Sequence, residues 1–159
     1  MVLIACIVYE GYRMMRPTVK QEDAGKMLFE VTYFQMEVLN TSLMDALKVS
    51  YTDDLNALKL AAYSAQYSHE RMVRAYGTGN LQSLSALGQL LDMITKSQIG
   101  GNRPLTDNER DLLTQYSTNF AELLPAYSAL LDINNRIAAS QANYISQIGG
   151  NLEGLFSES

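Results

Sequence analysis

His69 is the single histidine among 159 residues, and His69-Glu70-Arg71-Met72-Val73 opens like a zinc-protease helix. That chemistry needs a second histidine four residues on, so that both imidazoles leave one helix face. Val73 stands there instead, and the metal motif fails. Di-metal bundles project Glu-x-x-His from facing helices, and no such motif occurs. Glu30 and Glu37 share a face seven residues apart but have no histidine partner, so they read as solvated. No serine is marked out as a nucleophile by a spaced base and orienting acid. Gly77-x-Gly79 lacks a third glycine and follows a helical pattern rather than a strand, which leaves no nucleotide cradle. Cys6 stands alone, excluding an internal disulfide and a cysteine-based zinc site. The sequence is therefore read as non-enzymatic, with no catalytic residue, no metal ligand and no cofactor.

Hydrophobic residues make up 47% and charged residues 18%, a balance that supports a folded domain rather than disorder. The formal net charge is -5 with basic residues scattered, whereas phosphate neutralisation needs clustered Lys and Arg. Nucleic acid is accordingly excluded as an expected partner.

Four segments with helical period must position whatever this chain does. The first runs from about Lys20 to Lys48, with Ala24, Met27, Val31, Phe34 and Val38 at three- and four-residue spacing and Leu28, Leu39, Leu43 and Leu47 widening the stripe. The second runs from Asp53 to Tyr76 and carries Leu55, Leu58, Ala62, Ala65, His69, Met72 and Tyr76 on one face. Asp53 and Asp54 suit its positive N-terminus, and Gly77-Thr78-Gly79-Asn80 closes it. Leu81 to Gln98 forms the third, striped by Leu84, Leu87, Leu91 and Ile94 and stopped by Gly100 and Gly101.

Thr106-Asp107-Asn108-Glu109 is a capping box that starts the fourth segment. Pro125 interrupts it, yet the apolar phase runs on through Tyr127, Leu131, Asn134, Ile137, Gln141, Tyr144 and Ile148. One kinked helix to Gly149-Gly150 is expected. The predicted fold is all-α, an antiparallel up-and-down bundle of about four helices with long first and last helices. Its divisions are 1-19 as apolar segment and linker, 20-150 as bundle and 151-159 as flexible tail. Ten tyrosines mark either an amphipathic contact surface or a bundle boundary with its hydroxyls in water. Asn134 and Gln141 on the apolar phase either fix register or face outward.

Met1 to Tyr9 is apolar without interruption, roughly half of the 20 residues that a span requires. Three readings stay open: part of a membrane anchor, a buried or oligomeric contact, and a lipobox at Leu3-Ile4-Ala5-Cys6. Arg13, Arg16 and Lys20 would by themselves hold the domain on the cytoplasmic side.

The apolar segment ending in Gly11-Tyr12, Phe29-Glu30-Val31-Thr32-Tyr33, and Pro104-Leu105-Thr106-Asp107 with Glu109, Leu113, Tyr116 and Ser117 fall in a familiar order. In this order the chain resembles the N-terminal helical region of the YpeB spore-germination proteins of endospore-forming bacteria. The resemblance implies a membrane-associated, extracytoplasmic protein at the spore inner membrane. It also implies a partner, a cell-wall hydrolase of the cortex-lytic kind, that is stabilised or localised rather than catalysed upon. That family's C-terminal PepSY repeats have no counterpart in this sequence. The expected function is thus a membrane-tethered interaction or scaffold domain, with membrane association through residues 1-12 and a homodimer as the simplest assembly. The alternative is the four-helix ligand-sensing domain of a chemoreceptor or histidine kinase.

Overall fold

Helix boundaries in this chain follow from local chemistry, and the capping box at Thr106 is the plainest case. The Glu109 amide donates to the Thr106 hydroxyl at 3.2 Å, and the Thr106 amide donates to the Glu109 carboxylate at 2.8 Å. Two amides that have no carbonyl partner inside the helix are thereby satisfied. Gly77, with φ of 89°, ends another helix by donating its amide to the Val73 carbonyl at 2.8 Å. Asn80 helps to close that same end, its side chain donating to the Tyr76 carbonyl at 2.8 Å.

The computed structural model describes residues 18–157. It contains α1 (Thr18–Ala46), a 3₁₀ turn (Thr52–Leu55), α2 (Asn56–Tyr76), α3 (Ser85–Gln98), α4 (Asp107–Ser128) and α5 (Ala139–Ser157). Among the described residues there is no strand, only the isolated bridges Tyr51–Pro104 and Leu131–Ile137. The all-α expectation holds. The apolar run and the linker ahead of α1 lie outside the described residues.

The helices close a ring: α1 packs on α2 and α4, α2 on α3, α3 on α5, and α5 on α4. The approaches of Thr32 to Ser68 and Gly25 to Tyr76 make α1 and α2 antiparallel. An odd ring cannot alternate throughout, and the parallel contact is α3 with α5. There Gln82 meets Ser146, Leu84 approaches Gly149 and Ser85 bonds Glu153, so both numbers rise together. Met36, Leu39 and Leu43 of α1, Ala62 and Met72 of α2, Leu90 and Ile94 of α3, Tyr116 and Phe120 of α4, and Ile145 and Leu152 of α5 meet inside.

One end is tied by Thr52, which is fully buried in the α1–α2 connection. Its amide donates to the Arg103 carbonyl at 2.9 Å and its hydroxyl to the Gly101 carbonyl at 3.3 Å. These bonds join the α1–α2 and α3–α4 connections across the fold.

Three sequence expectations need correction. The long fourth helix is two helices. Pro125 lies within α4, one turn before its end, and the break comes at residues 129–138. There the Asp132 carboxylate accepts the amides of Asn134 at 2.7 Å and Arg136 at 3.0 Å, while Asn135 adopts φ of 56°. Asn and Asp tolerate that conformation and bond their own backbone, which ends a helix more firmly than Pro125 does. The apolar phase resets accordingly, to Ala142, Ile145, Ile148 and Leu152. Asn134 is exposed and Gln141 half-buried, so neither serves as a core register device.

The bundle also does not stop at Gly149-Gly150. α5 continues to Ser157, with Leu152 buried on Gly149's side of the helix. Gly149 permits a close approach, because a Cβ there would meet Leu84 Cδ2 at 2.8 Å.

Finally, α1 turns inward only part of the expected stripe, with Leu39 and Leu43 buried as expected but its Met27, Val31 and Phe34 side facing out. Thr32, Met36, Leu39, Leu43 and Ala46 are buried, while Met27, Val31, Phe34 and Leu47 are exposed. Apolar residues occupy both sides of α1, so period alone does not choose between them. The buried stripe was disguised by Thr32, whose hydroxyl is satisfied by the Leu28 carbonyl at 2.8 Å and reaches the Ser68 carbonyl of α2 at 3.3 Å.

Candidate functional site

His69 is the residue whose chemistry the sequence singles out, and α2 carries it into the interior, 1% exposed. Its Nε2 lies 2.9 Å from the Gln82 carbonyl, an acceptor only, so Nε2 carries the proton. Nδ1 then accepts from the Tyr127 hydroxyl of α4. Both ring nitrogens are consumed, and burial lowers the pKa from 6.5 to about 4. The neutral ring links α2, the α2–α3 connection and α4. Tyr116 plays a similar part, donating from its buried hydroxyl to the Ala86 carbonyl at 3.1 Å. These groups hold the fold together.

Among the described residues no cluster of three His, Cys, Asp or Glu side chains could hold a metal. Glu30 and Glu37 are exposed, as expected for solvated side chains. Asp54 reaches back to the Tyr51 amide at 3.3 Å and Asp53 is exposed, so this pair serves the helix start. Among the described residues no helix is long and apolar enough to cross a membrane.

Two surface features remain. A groove of about 480 Å³ between α3, the start of α4 and the end of α5 is lined by Gln89, Asp92, Lys96, Arg103, Glu109 and Phe156, among others. Arg103 is committed within it, donating to both Glu109 oxygens at 2.8 and 2.6 Å and holding that carboxyl down near pKa 2. The buried Gln89 Oε1 has no hydrogen-bond partner.

The second feature is apolar. On α1, Met27, Val31 and Phe34 are each more than half exposed, and so are Leu60, Tyr63 and Tyr67 on α2. Gln66 and Lys59 mark the α3 side of α2, through their approaches to Gly88 and Gln98. Leu60 and Tyr67 lie on the other flank, beside α1. The register and hand of the antiparallel pair put Val31 and Val38 on the flank of α1 nearest α2. The two stripes thus border one seam. Arg71 extends along it, its guanidinium stacked 4.7 Å from the Tyr67 ring and donating to the Tyr67 hydroxyl at 2.9 Å.

The exposed tyrosines thus divide from the buried ones by helix face. Tyr63 and Tyr67 are exposed, whereas Tyr116 and Tyr127 are core. Sequence reading placed the α1 stripe inside and so missed this surface. The available signal was the surplus of apolar residues on α1, more than one buried face can use.

No family model, no curated protein and no solved structure matches this chain.

Proposed function

We propose that this chain is a non-enzymatic interaction and scaffold module that works through the outer face of α1 and α2. One observation carries the reading: six large apolar side chains stand exposed around one seam, although the core is filled without them. Exposed patches of this size mark binding surfaces in folded proteins. The neutral, fully bonded His69 gives no support to an enzymatic reading.

The reading extends to a tether. The apolar run from Met1 to Tyr9, separated from α1 by residues 10–17 in the sequence, would bring the bundle to a membrane, on its outer side by resemblance to the germination proteins. The partner class that this resemblance suggests is a cortex-lytic hydrolase held at the spore inner membrane. The test mixes a purified cortex-lytic enzyme with the full chain or its Phe34→Asp variant, and follows co-elution and the enzyme's survival under protease. The expected result is co-elution and longer survival with the parent chain only. Equal elution and equal survival with both would overturn the hydrolase partnership.

A second reading, a helical domain sensing a small ligand, is favoured by the groove beside α3. Its volume falls in the usual range for ligand sites, roughly 300–1,000 Å³, and Gln89 offers an acceptor without a donor. Thermal melts against small amines and amino acids test it. A shift abolished by Gln89→Leu supports sensing, and flat melts across the series count against it.

A further inference from the structure

The groove beside α3 has a lining that narrows its ligand. Gln89, Asp92, Met93 and Lys96 follow one another at three- and four-residue spacing, so one face of α3 forms its wall. Leu112 of α4 and Phe156 of α5 join Met93 as its apolar part. Phe156 lies edge-on to Tyr116 at 5.8 Å, which anchors that part to the core.

Charge in the groove is divided between its two ends. Arg103 and Glu109 are bonded to each other twice, so their charges largely cancel. Asp92 and Lys96 are exposed, and neither enters an ion pair among the described residues. Four residues apart, they stand about 6 Å from each other along the helix axis. Were they to close on one another, an exposed pair of this kind is weak enough to open for a ligand. Gln89 adds to the Asp92 end. Its Oε1 is buried without a donor, and the terminal amide torsion is soft enough to bring that oxygen round to one in the groove. One end therefore accepts hydrogen bonds and the other donates them.

An anion drawn to Lys96 would meet Asp92, and a cation drawn to Asp92 would meet Lys96. A molecule with both charges satisfies both ends at once. An ammonium and a carboxylate on a single carbon fit between two side chains at this spacing, and a substituent on that carbon reaches Met93, Leu112 and Phe156. We infer that the groove binds a zwitterionic α-amino acid with an apolar side chain, its ammonium on Asp92 and Gln89 and its carboxylate on Lys96. This rests on the second reading above, a ligand site in the groove, and names the class of ligand.

Isothermal titration calorimetry of the full chain provides the test, with L-phenylalanine, phenethylamine and 3-phenylpropionate as probes. The amine lacks the carboxylate and the acid lacks the ammonium. L-Phenylalanine is expected to bind saturably, and each analogue at least about tenfold more weakly, since each forfeits a charged hydrogen bond. Lys96→Met is expected to weaken L-phenylalanine by about tenfold and leave phenethylamine unchanged. Asp92→Asn is expected to do the same while leaving 3-phenylpropionate unchanged. Both side chains are exposed, and helical circular dichroism identical to the parent excludes unfolding as the cause.

That crossed pattern supports the inference. No saturable heat with L-phenylalanine, L-leucine or L-methionine overturns it, and so does binding indifferent to both substitutions, which assigns the ligand to another surface. Phenethylamine that binds as tightly as L-phenylalanine, and is lost in Gln89→Leu, would leave the sensing reading standing while this one falls.

Discussion

His69 lies between two oxygens, one that can only accept and one that donates, and this fixes its neutral tautomer. Its pKa falls from 6.5 to about 4 because burial penalises the charged ring, by more than the bond to the Gln82 carbonyl favours it. The folded-state value lies below the unfolded one, so the associated stability is fully present above about pH 6.5 and is lost as pH falls toward 4. The full loss is on the order of 3 kcal/mol. Urea midpoints at pH 7.0 and 4.5 are expected to differ more for the parent than for His69→Met, whose carboxylates titrate alike but which lacks the imidazole. A parent and variant with parallel pH profiles would contradict the role assigned to the ring. Tyr127→Phe leaves Nδ1 buried without its donor, and is expected to cost about 1–3 kcal/mol at pH 7, read from the same urea curves. None of this was legible in the sequence. His69 was correctly set on the buried stripe of α2, but its two partners are 13 and 58 residues away.

At the scale of elements, α5 shows what glycine costs and what it permits. Gly149 and Gly150 lie inside the helix, although adjacent glycines ordinarily mark an end. Gly149 is buried against Leu84, whereas a Cβ on Gly150 would meet nothing within 4 Å. Gly150→Ala is therefore expected to stabilise the fold by about 0.5–1 kcal/mol, through helix propensity and a less flexible unfolded chain. Gly149→Ala is expected to gain less or to destabilise, because Leu84 must shift within a packed contact. Thermal melts of the two variants check the contrast, and equal gains would mean that the Leu84 approach is not tight. The capping box at Thr106 could be read in advance because all its atoms lie within four residues. The loop at residues 129–138 was harder to read, because apolar residues happened to fall in phase across it. Asp132, Asn134 and Asn135 were the usable signal.

The whole molecule is a closed ring, so its last helix matters as much as its first. α5 seals α3 to α4, and its final turns place Leu152 in the core and Phe156 edge-on to Tyr116. Removal of residues 151–159 is expected to lower the melting temperature by at least about 10 °C, since several kcal/mol of core contact is lost. A truncated chain that melts with the parent would show that the ring closes without those turns. The exposed α1–α2 face belongs to this scale as well. Burial of one α1 stripe against α2 and α4 necessarily turns the other outward.

The sequence by itself determined that this protein is helical, the start of α4 and the buried faces of α2, α3 and α4, because propensity, period and capping act within a few residues. It also removed the familiar catalytic and metal motifs, which need residue types that are not there. Only the tertiary structure decided which stripe of α1 faces inward, where the chain turns back at Asp132, and how His69, Gln82 and Tyr127 meet. Those choices depend on the surface offered by helices distant in the chain, and a stripe of Met, Val and Phe is equally apolar whether a neighbour covers it or not.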